Sequence, residues 1–367
     1  MNNAPPLILL AAGGTGGHLF PAEALGGELM KRGLRVRLAT DSRALRYSGL
    51  FTRDTIEVVP SETVRGRNPL SLARTGVMLA VGTATALRLL RRLKPVAVVG
   101  FGGYPTLPPL VAARLCGVPS VIHEANAVLG RANRFLSSRV SAIATSLPGV
   151  LDRDPQLAAK TTTVGMPMRP AILAAAGVKF TAPEATGPFR LLVTGGSQGA
   201  RVMADIVPDA IEKLEPSLWG RLVLTQQVRE EDMARVRAVY DRLKISAELA
   251  PFFNDLPARL AANHLIVSRS GAGTVSELAA IGRPSILVPL PGSIDQDQFA
   301  NAGVLSEACG ALRIVQAEFT SDRLASEISA FAAEPSKLTA MAEAARKAGR
   351  LDAAQQLADL VVKVAGL

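Results

Sequence analysis

The chain has 367 residues, 48% of them hydrophobic, with 32 glycines and a formal net charge of +10, which suits a soluble α/β protein of two domains, each able to own a core. Two cysteines, Cys116 and Cys309, exclude a disulfide framework, and no uncharged apolar stretch reaches the ~18–20 residues of a spanning helix. The positive excess lies in the first half alone: residues 1–170 carry 21 Lys+Arg against 9 Asp+Glu, residues 171–367 carry 20 against 22.

In chain order, a predicted strand at 7–12 runs into Gly13-Gly14-Thr15-Gly16-Gly17-His18 and then a helix expected to begin near Pro21. A strand, a glycine loop and a helix start together make an anion site, because glycine lets the backbone approach a ligand and the helix aims unpaired N–H groups and its positive dipole end at it. The loop lacks the Gly-Lys-Ser/Thr ending of the Walker motif, and Leu19 stands where the dinucleotide fingerprint needs its last glycine. Before that first strand there is no basic n-region, and the apolar run is too short for an export signal, so a reducing, internal compartment is expected.

Strands are expected next at 36–39 and 96–99. Between Thr63 and His123 there is no Asp or Glu, while Arg65, Arg67, Arg74, Arg88, Arg91, Arg92, Lys94 and Arg114 are present. Such a face attracts a polyanion or an anionic membrane. Its middle, 75–87, is uncharged and holds Val77 and Leu79, with Arg88, Arg91 and Arg92 after it, so it reads either as a bilayer-surface helix rimmed by cations or as a helix packed on the sheet with a solvated basic end. With only Phe101 and Tyr104 aromatic in this stretch, nucleic-acid binding fits poorly.

Strands at 120–122 and 142–144 complete the first half, and the Pro- and Gly-rich stretch from about 163 to 190 marks the domain boundary. The second half restarts with a strand at 191–193 and Gly195-Gly196-Ser197-Gln198-Gly199-Ala200, which reads as a repeat of one nucleotide-binding design. Further strands are expected at 222–224, 265–267 and 286–288. The third leads into the small-residue turn Ser268 to Glu277, where Glu277 is placed either to accept ribose hydroxyls or to cap its helix. An Ala-rich helical segment closes the chain.

Six ordered motifs make a family resemblance: the first glycine loop, Gly100-Phe101-Gly102-Gly103-Tyr104-Pro105, His123-Glu124-Ala125-Asn126, Gly165-Met166-Pro167-Met168-Arg169, the Gly195–Ala200 loop and Arg269 to Glu277. Over nearly its whole length the set resembles the MurG family of bacterial N-acetylglucosaminyltransferases. The resemblance implies a GT-B fold, α/β with two doubly wound Rossmann-like parallel-sheet domains facing across a cleft: 1–164 on the acceptor and membrane side, 165–340 for the UDP-sugar donor, and 341–367 as a helix packing back towards the first. It implies inverting transfer from UDP-N-acetylglucosamine to the 4-hydroxyl of the muramyl sugar of lipid I, giving lipid II, peripherally at the cytoplasmic face of an anionic membrane. Implied donor contacts are Ser197 at the diphosphate, Phe253 beside uracil, the turn Ala272, Gly273, Thr274, Val275 and Ser276, Glu277 on ribose, and Gln298 with Asn301 on the sugar, completed by Thr15, Gly16, Gly17, Asn126 and Arg169. Gly14, Gly103 and Tyr104 fall on the acceptor side.

Inverting transfer needs one base for the acceptor proton, and the departing UDP needs charge stabilisation more than protonation. His18 is the first candidate base, against a role in binding phosphate or capping; Glu124 is the second, against a structural role in its own loop. Gln226-Gln227 replaces the family's usual His-Gln, leaving Gln227 a possible sugar contact. Asp152-Arg153-Asp154 and Asp295-Gln296-Asp297 match a loose metal pattern, but no metal or other cofactor is expected, helix dipoles serving instead. Competing readings are a diacylglycerol glycosyltransferase, a UDP-sugar 2-epimerase and a non-enzymatic membrane-binding module.

Overall fold

The computed structural model describes residues 4–13, 16–42, 49–61, 69–196 and 199–367, with side chains from residue 73 in the helix Pro69–Leu93. Gly14, Thr15 and Ser197 lie outside the described residues. The chain divides into two compact units, 1–169 with 351–367, and 170–350.

The first unit holds β1 (Leu7–Ala11), β2 (Arg35–Thr40), β3 (Ile56–Val58), β4 (Ala97–Gly100), β5 (Ser120–Glu124), β6 (Ala142–Thr145) and β7 (Thr161–Thr163), in the order β3-β2-β1-β4-β5-β6-β7 with every neighbour parallel. β1 is buried along its whole length because the sheet is covered on both faces. Ile8 and Leu10 join Leu19, Leu25 and Leu29 of the helix Gly16–Lys31, together with Leu357 and Val361. Leu9 and Ala11 turn the other way, towards Leu89, Leu90 and Leu110.

The second unit repeats the plan with β8 (Phe189–Thr194), β9 (Leu222–Gln227), β10 (Ala247–Ala250), β11 (Leu265–Ser268), β12 (Ser285–Leu287) and β13 (Ala311–Arg313), all parallel in the order β10-β9-β8-β11-β12-β13. In each sheet the order reverses beside the first strand, between β1 and β4 and between β8 and β11. The loops leaving these four carboxyl ends are where a doubly wound sheet binds its ligand.

Three boundaries differ from expectation. The helix after β1 begins at Gly16, so Pro21 sits inside it rather than at its start. The first unit runs on to Arg169 because Met166 and Met168 are buried and the Arg169 guanidinium lies 4.0 Å over the Phe20 ring. The C-terminal segment is two helices, Pro335–Ala348 in the second unit and Ala353–Ala365 in the first. The break falls at Gly349, where a Cβ would stand 2.5 Å from the Ala279 carbonyl oxygen. The last helix is held by Leu357, Ala358 and Val361 and by the Arg32–Asp359 pair at 2.6 Å.

Candidate active-site residues

In the first unit two glycine motifs converge on one histidine. A methyl group on Gly13 would meet His18 Nδ1 at 3.4 Å, one on Gly102 would meet Cδ2 at 3.5 Å, and one on Gly103 would meet Cε1 at 3.4 Å. Gly102 and Gly103 also have φ of +85° and +77°, which L side chains rarely adopt. The loops after β1 and β4 thus form a seat for the half-buried imidazole of His18, which stands on the first turn of its helix.

Near His18 lies His123 on β5, buried, its ring centroid 5.5 Å from that of Phe101. Its Nε2 is 3.2 Å from the Gly165 carbonyl oxygen and 3.1 Å from Ser146 Oγ. Burial brings its pKa down to about 4, the Gly165 carbonyl opposing and His18 adding to the fall. His123 is therefore neutral at pH 7.

Glu124, the second candidate base, is engaged by its own loop. Its Oε1 accepts the Asn126 backbone N–H at 3.0 Å and Asn126 Nδ2 at 3.2 Å, and its Oε2 accepts the Gly130 N–H at 2.9 Å and Asn133 Nδ2 at 2.8 Å. This buried carboxylate, engaged by four donors, shapes the 124–130 loop. Asn126 is spent on the same loop, and Asn133, which the sequence did not single out, is a fixed part of it. Arg169 stacks on Phe20 and faces Glu23, whose carboxyl is raised by burial against the pull of the Leu50 N–H and Arg169.

Tyr104 follows directly on the His18 seat and lines an apolar pocket of about 340 Å³ with Leu79, Thr83, Val111, Arg131 and Phe135. The helix Pro69–Leu93 buries Thr75, Ala86, Leu89 and Leu90, yet leaves Val77 62% and Val81 48% exposed, as it does Arg88 and Arg91. The packed-helix reading is met on the buried side, where Leu89 and Leu90 lie against Leu9 and Ala11 of β1. Arg92 is engaged with Glu57 at 2.8 Å. Among the described residues no helix is long and apolar enough to cross a membrane.

In the second unit the helix Ala272–Ile281 starts at Gly271 with no side chain capping it, and the Val275 N–H is the first of its amides paired back, to the Gly271 carbonyl. The amides of Ala272, Gly273 and Thr274 precede that bond, at the positive end of the dipole. Ser276 is buried and, among the described residues, its hydroxyl finds no partner. Glu277 is half-buried one turn in.

Four side chains the resemblance would give to the ligand are engaged with the protein. Gln298 accepts the Leu290 N–H at 3.0 Å on Oε1, and its carbonyl accepts Ser270 Oγ at 2.8 Å. Asn301 is fully buried and donates to the Ser270 carbonyl at 3.2 Å. Phe253 is buried with the Arg259 guanidinium 4.4 Å over its ring, while its neighbour Phe252 is 59% exposed. Gln227 is bonded on both ends of its amide. Arg269, quoted in its motif but given no role by the sequence, ties the turn to the next strand end, donating to the carbonyls of Val288 and Pro289 at 3.1 Å each and to Gln316 Oε1 at 2.6 Å. The Asp-x-Asp pairs have local work: Asp154 caps the helix Pro155–Ala158, and Asp297 accepts the Gln298 N–H at 2.7 Å. Among the described residues no three His, Cys, Asp or Glu side chains converge as metal ligands would.

Residues 8–145 match the model of the glycosyltransferase family 28 N-terminal domain, and residues 190–357 that of its C-terminal domain. A protein of Bradyrhizobium sp. strain BTAi1, named UDP-N-acetylglucosamine--N-acetylmuramyl-(pentapeptide) pyrophosphoryl-undecaprenol N-acetylglucosamine transferase, is 78% identical over 367 residues, covering 100% of both chains. Its namesake in Bradyrhizobium diazoefficiens is 80% identical over 362 residues, 99% of each chain. Among solved structures, Acinetobacter baumannii MurG superposes with a TM-score of 0.79 at 28% identity over 98% of this chain and 100% of that one. A UDP-GlcNAc 2-epimerase from Neisseria meningitidis, solved with UDP-GlcNAc bound, reaches 0.69 at 12% identity over 98% and 100%, a likeness of fold alone.

Proposed function

The chain belongs to glycosyltransferase family 28, and from that membership we propose that it transfers N-acetylglucosamine from UDP-N-acetylglucosamine to the 4-hydroxyl of the muramyl sugar of lipid I, with inversion, releasing UDP and lipid II for peptidoglycan synthesis. Full-length relatives at 78% and 80% identity carry that activity in their names, whereas the 2-epimerase from Neisseria meningitidis is only 12% identical. This contrast carries the reading.

The chemistry divides between the units. In the first, His18 takes the proton of the attacking hydroxyl, and the glycine seat fixes its ring; such a base contributes ~10²–10⁴-fold. Neutral His123 does not compete for the proton. Glu124 and Asn126 position the loop beside it rather than react. In the second unit the uncapped start of Ala272–Ile281 receives the diphosphate, stabilising the charge that grows as the sugar leaves. Glu277 accepts the ribose hydroxyls. Gln298 and Asn301 act mainly by holding the Ser270 and Leu290 backbone around the donor sugar.

The acceptor's lipid stays in a bilayer, so the enzyme works peripherally at the cytoplasmic membrane face. Val77 and Val81 beside the cations Arg88 and Arg91, and the apolar pocket under Tyr104, support placing that contact on the first unit. The test is transfer of radiolabel from UDP-N-acetylglucosamine to a short-chain lipid I analogue, scored as a lipid-soluble disaccharide. Labelled free sugar with no lipid product would contradict the reading and favour an epimerase.

A further inference from the structure

We infer that Gln227 is a positioning residue that locks the phosphate end and the base end of the UDP site into one rigid piece; this rests on the reading that the second unit holds UDP. Gln227 ends β9, next to β8, and is buried. Its Oε1 accepts Thr194 Oγ1 at 2.9 Å and the Gly195 N–H at 3.0 Å, both at the start of the glycine loop. Its Nε2 donates to the Gly196 carbonyl and to the Pro251 carbonyl, each at 3.0 Å. Pro251 precedes Phe252 and Phe253, the segment read as lying beside uracil.

Only a neutral primary amide of this length meets the pattern. Two acceptor sites face an O–H and an N–H, and two donors face carbonyl oxygens. A carboxylate would point one oxygen at the Gly196 and Pro251 carbonyls, and an alkyl chain would take the partner from all four polar groups, the buried Thr194 hydroxyl among them. The two residues that it holds must themselves be glycine, since a Cβ on Gly195 would stand 2.2 Å from the Ala200 nitrogen and Gly196 has φ of +84°. A consequence is that the Gly195 N–H is turned inward and is not a phosphate donor. The neighbouring Gln226 differs: fully buried, it bonds Tyr240 and the Met203 carbonyl within the core and touches neither loop.

The test compares Gln227→Glu with Gln226→Leu in the full chain. Gln227→Glu should raise the Kd for UDP by calorimetry, and the KM for UDP-N-acetylglucosamine, about tenfold or more at pH 8, with kcat at saturating donor within about threefold. The loss should shrink as pH falls towards 5.5, because the protonated carboxyl can donate to one of the two carbonyls. Gln226→Leu should lower the melting temperature while the folded protein keeps its UDP affinity. Wild-type protein that fails to bind UDP overturns the donor reading itself. Wild-type binding with equal affinity in Gln227→Glu, or a loss without pH recovery that Gln226→Leu shares, overturns the inference alone. If Gln227→Glu does not fold, glycine-selective ¹⁵N NMR of the wild type decides: a Gly195 amide slow to exchange before UDP is added supports the lock, and one protected only after addition refutes it.

Discussion

The two units start from one plan and use it for opposite ends. After β1, the glycines of two loops close on a side chain, and the imidazole of His18 is what they hold. After β8, the glycine loop is itself what is held, by Gln227 from the neighbouring strand, and the helix that follows β11 starts with no side chain capping it. Glycine permits a close approach in both places; what approaches is decided by the residue types around it. A glycine loop in a doubly wound sheet is therefore a position rather than a function, and the first unit reads as proton chemistry, the second as charge binding.

The sharpest way to break this division is at His18. His18→Ala should lower kcat by ~10²-fold or more. A kcat within about threefold of wild type in steady-state transfer assays would return the ring to a structural role and erase the contrast between the loops. Glu124→Gln, which keeps the shape and one acceptor oxygen, should cost far less than His18→Ala if its task is to order the 124–130 loop.

Charge separates the units next. Reversing Arg88 and Arg91 to Glu should weaken binding to anionic vesicles about 30-fold, from ~1 kcal/mol for each cation near the surface, while transfer to a water-soluble acceptor analogue survives. Arg92 is left alone because its reversal would also set a carboxylate against Glu57. Sedimentation with vesicles that is indifferent to the reversal and to salt would leave the exposed Val77 and Val81 without a membrane role.

Acid affects both units in the same direction. His123 in the first and His264 in the second have pKa values brought down to about 4, by burial above all. Each binds fewer protons folded than unfolded between pH 4 and 6.5, so stability is full above that window and is lost as pH falls through it. At pH 5 His123 should account for about 2 kcal/mol of loss. Denaturant midpoints that stay flat from pH 6.5 to 5, above the range where carboxylates titrate, would contradict this. The smallest expected effect is none: excess EDTA should leave the transfer rate unchanged, and abolition with rescue by Mg²⁺ or Mn²⁺ would give the Asp-x-Asp pairs a part.

What the sequence made legible follows the same physics. The strands expected from apolar runs are all present, and those that escaped notice, β3, β7, β10 and β13, are the four sheet edges. An edge strand packs on fewer neighbours and keeps solvated positions, so Ile56–Val58 and Thr161–Thr163 show no buried run to read. The glycine loops and His18 were visible because glycine clusters and rare histidines stand out. Gln227, Gln298, Asn301 and Glu124 were visible as residues but not as roles, since a polar side chain looks the same in sequence whether it meets a ligand or a neighbouring carbonyl. Asn133 gave no signal and Arg269 only its place in a motif, because the carboxylate, amide and carbonyl groups that they meet are brought near only by the fold.

The division of labour is tested most directly by measuring UDP affinity and transfer together on two variants. Glu277→Ala should lose about 1.5–3 kcal/mol of UDP binding by calorimetry, the range for a charge-assisted hydrogen bond, and lose transfer through a raised donor KM. His18→Ala should bind UDP like the wild type and fail in kcat. The account is contradicted if UDP affinity is unchanged in a folded Glu277→Ala, or if His18→Ala loses nucleotide binding as severely as it loses turnover.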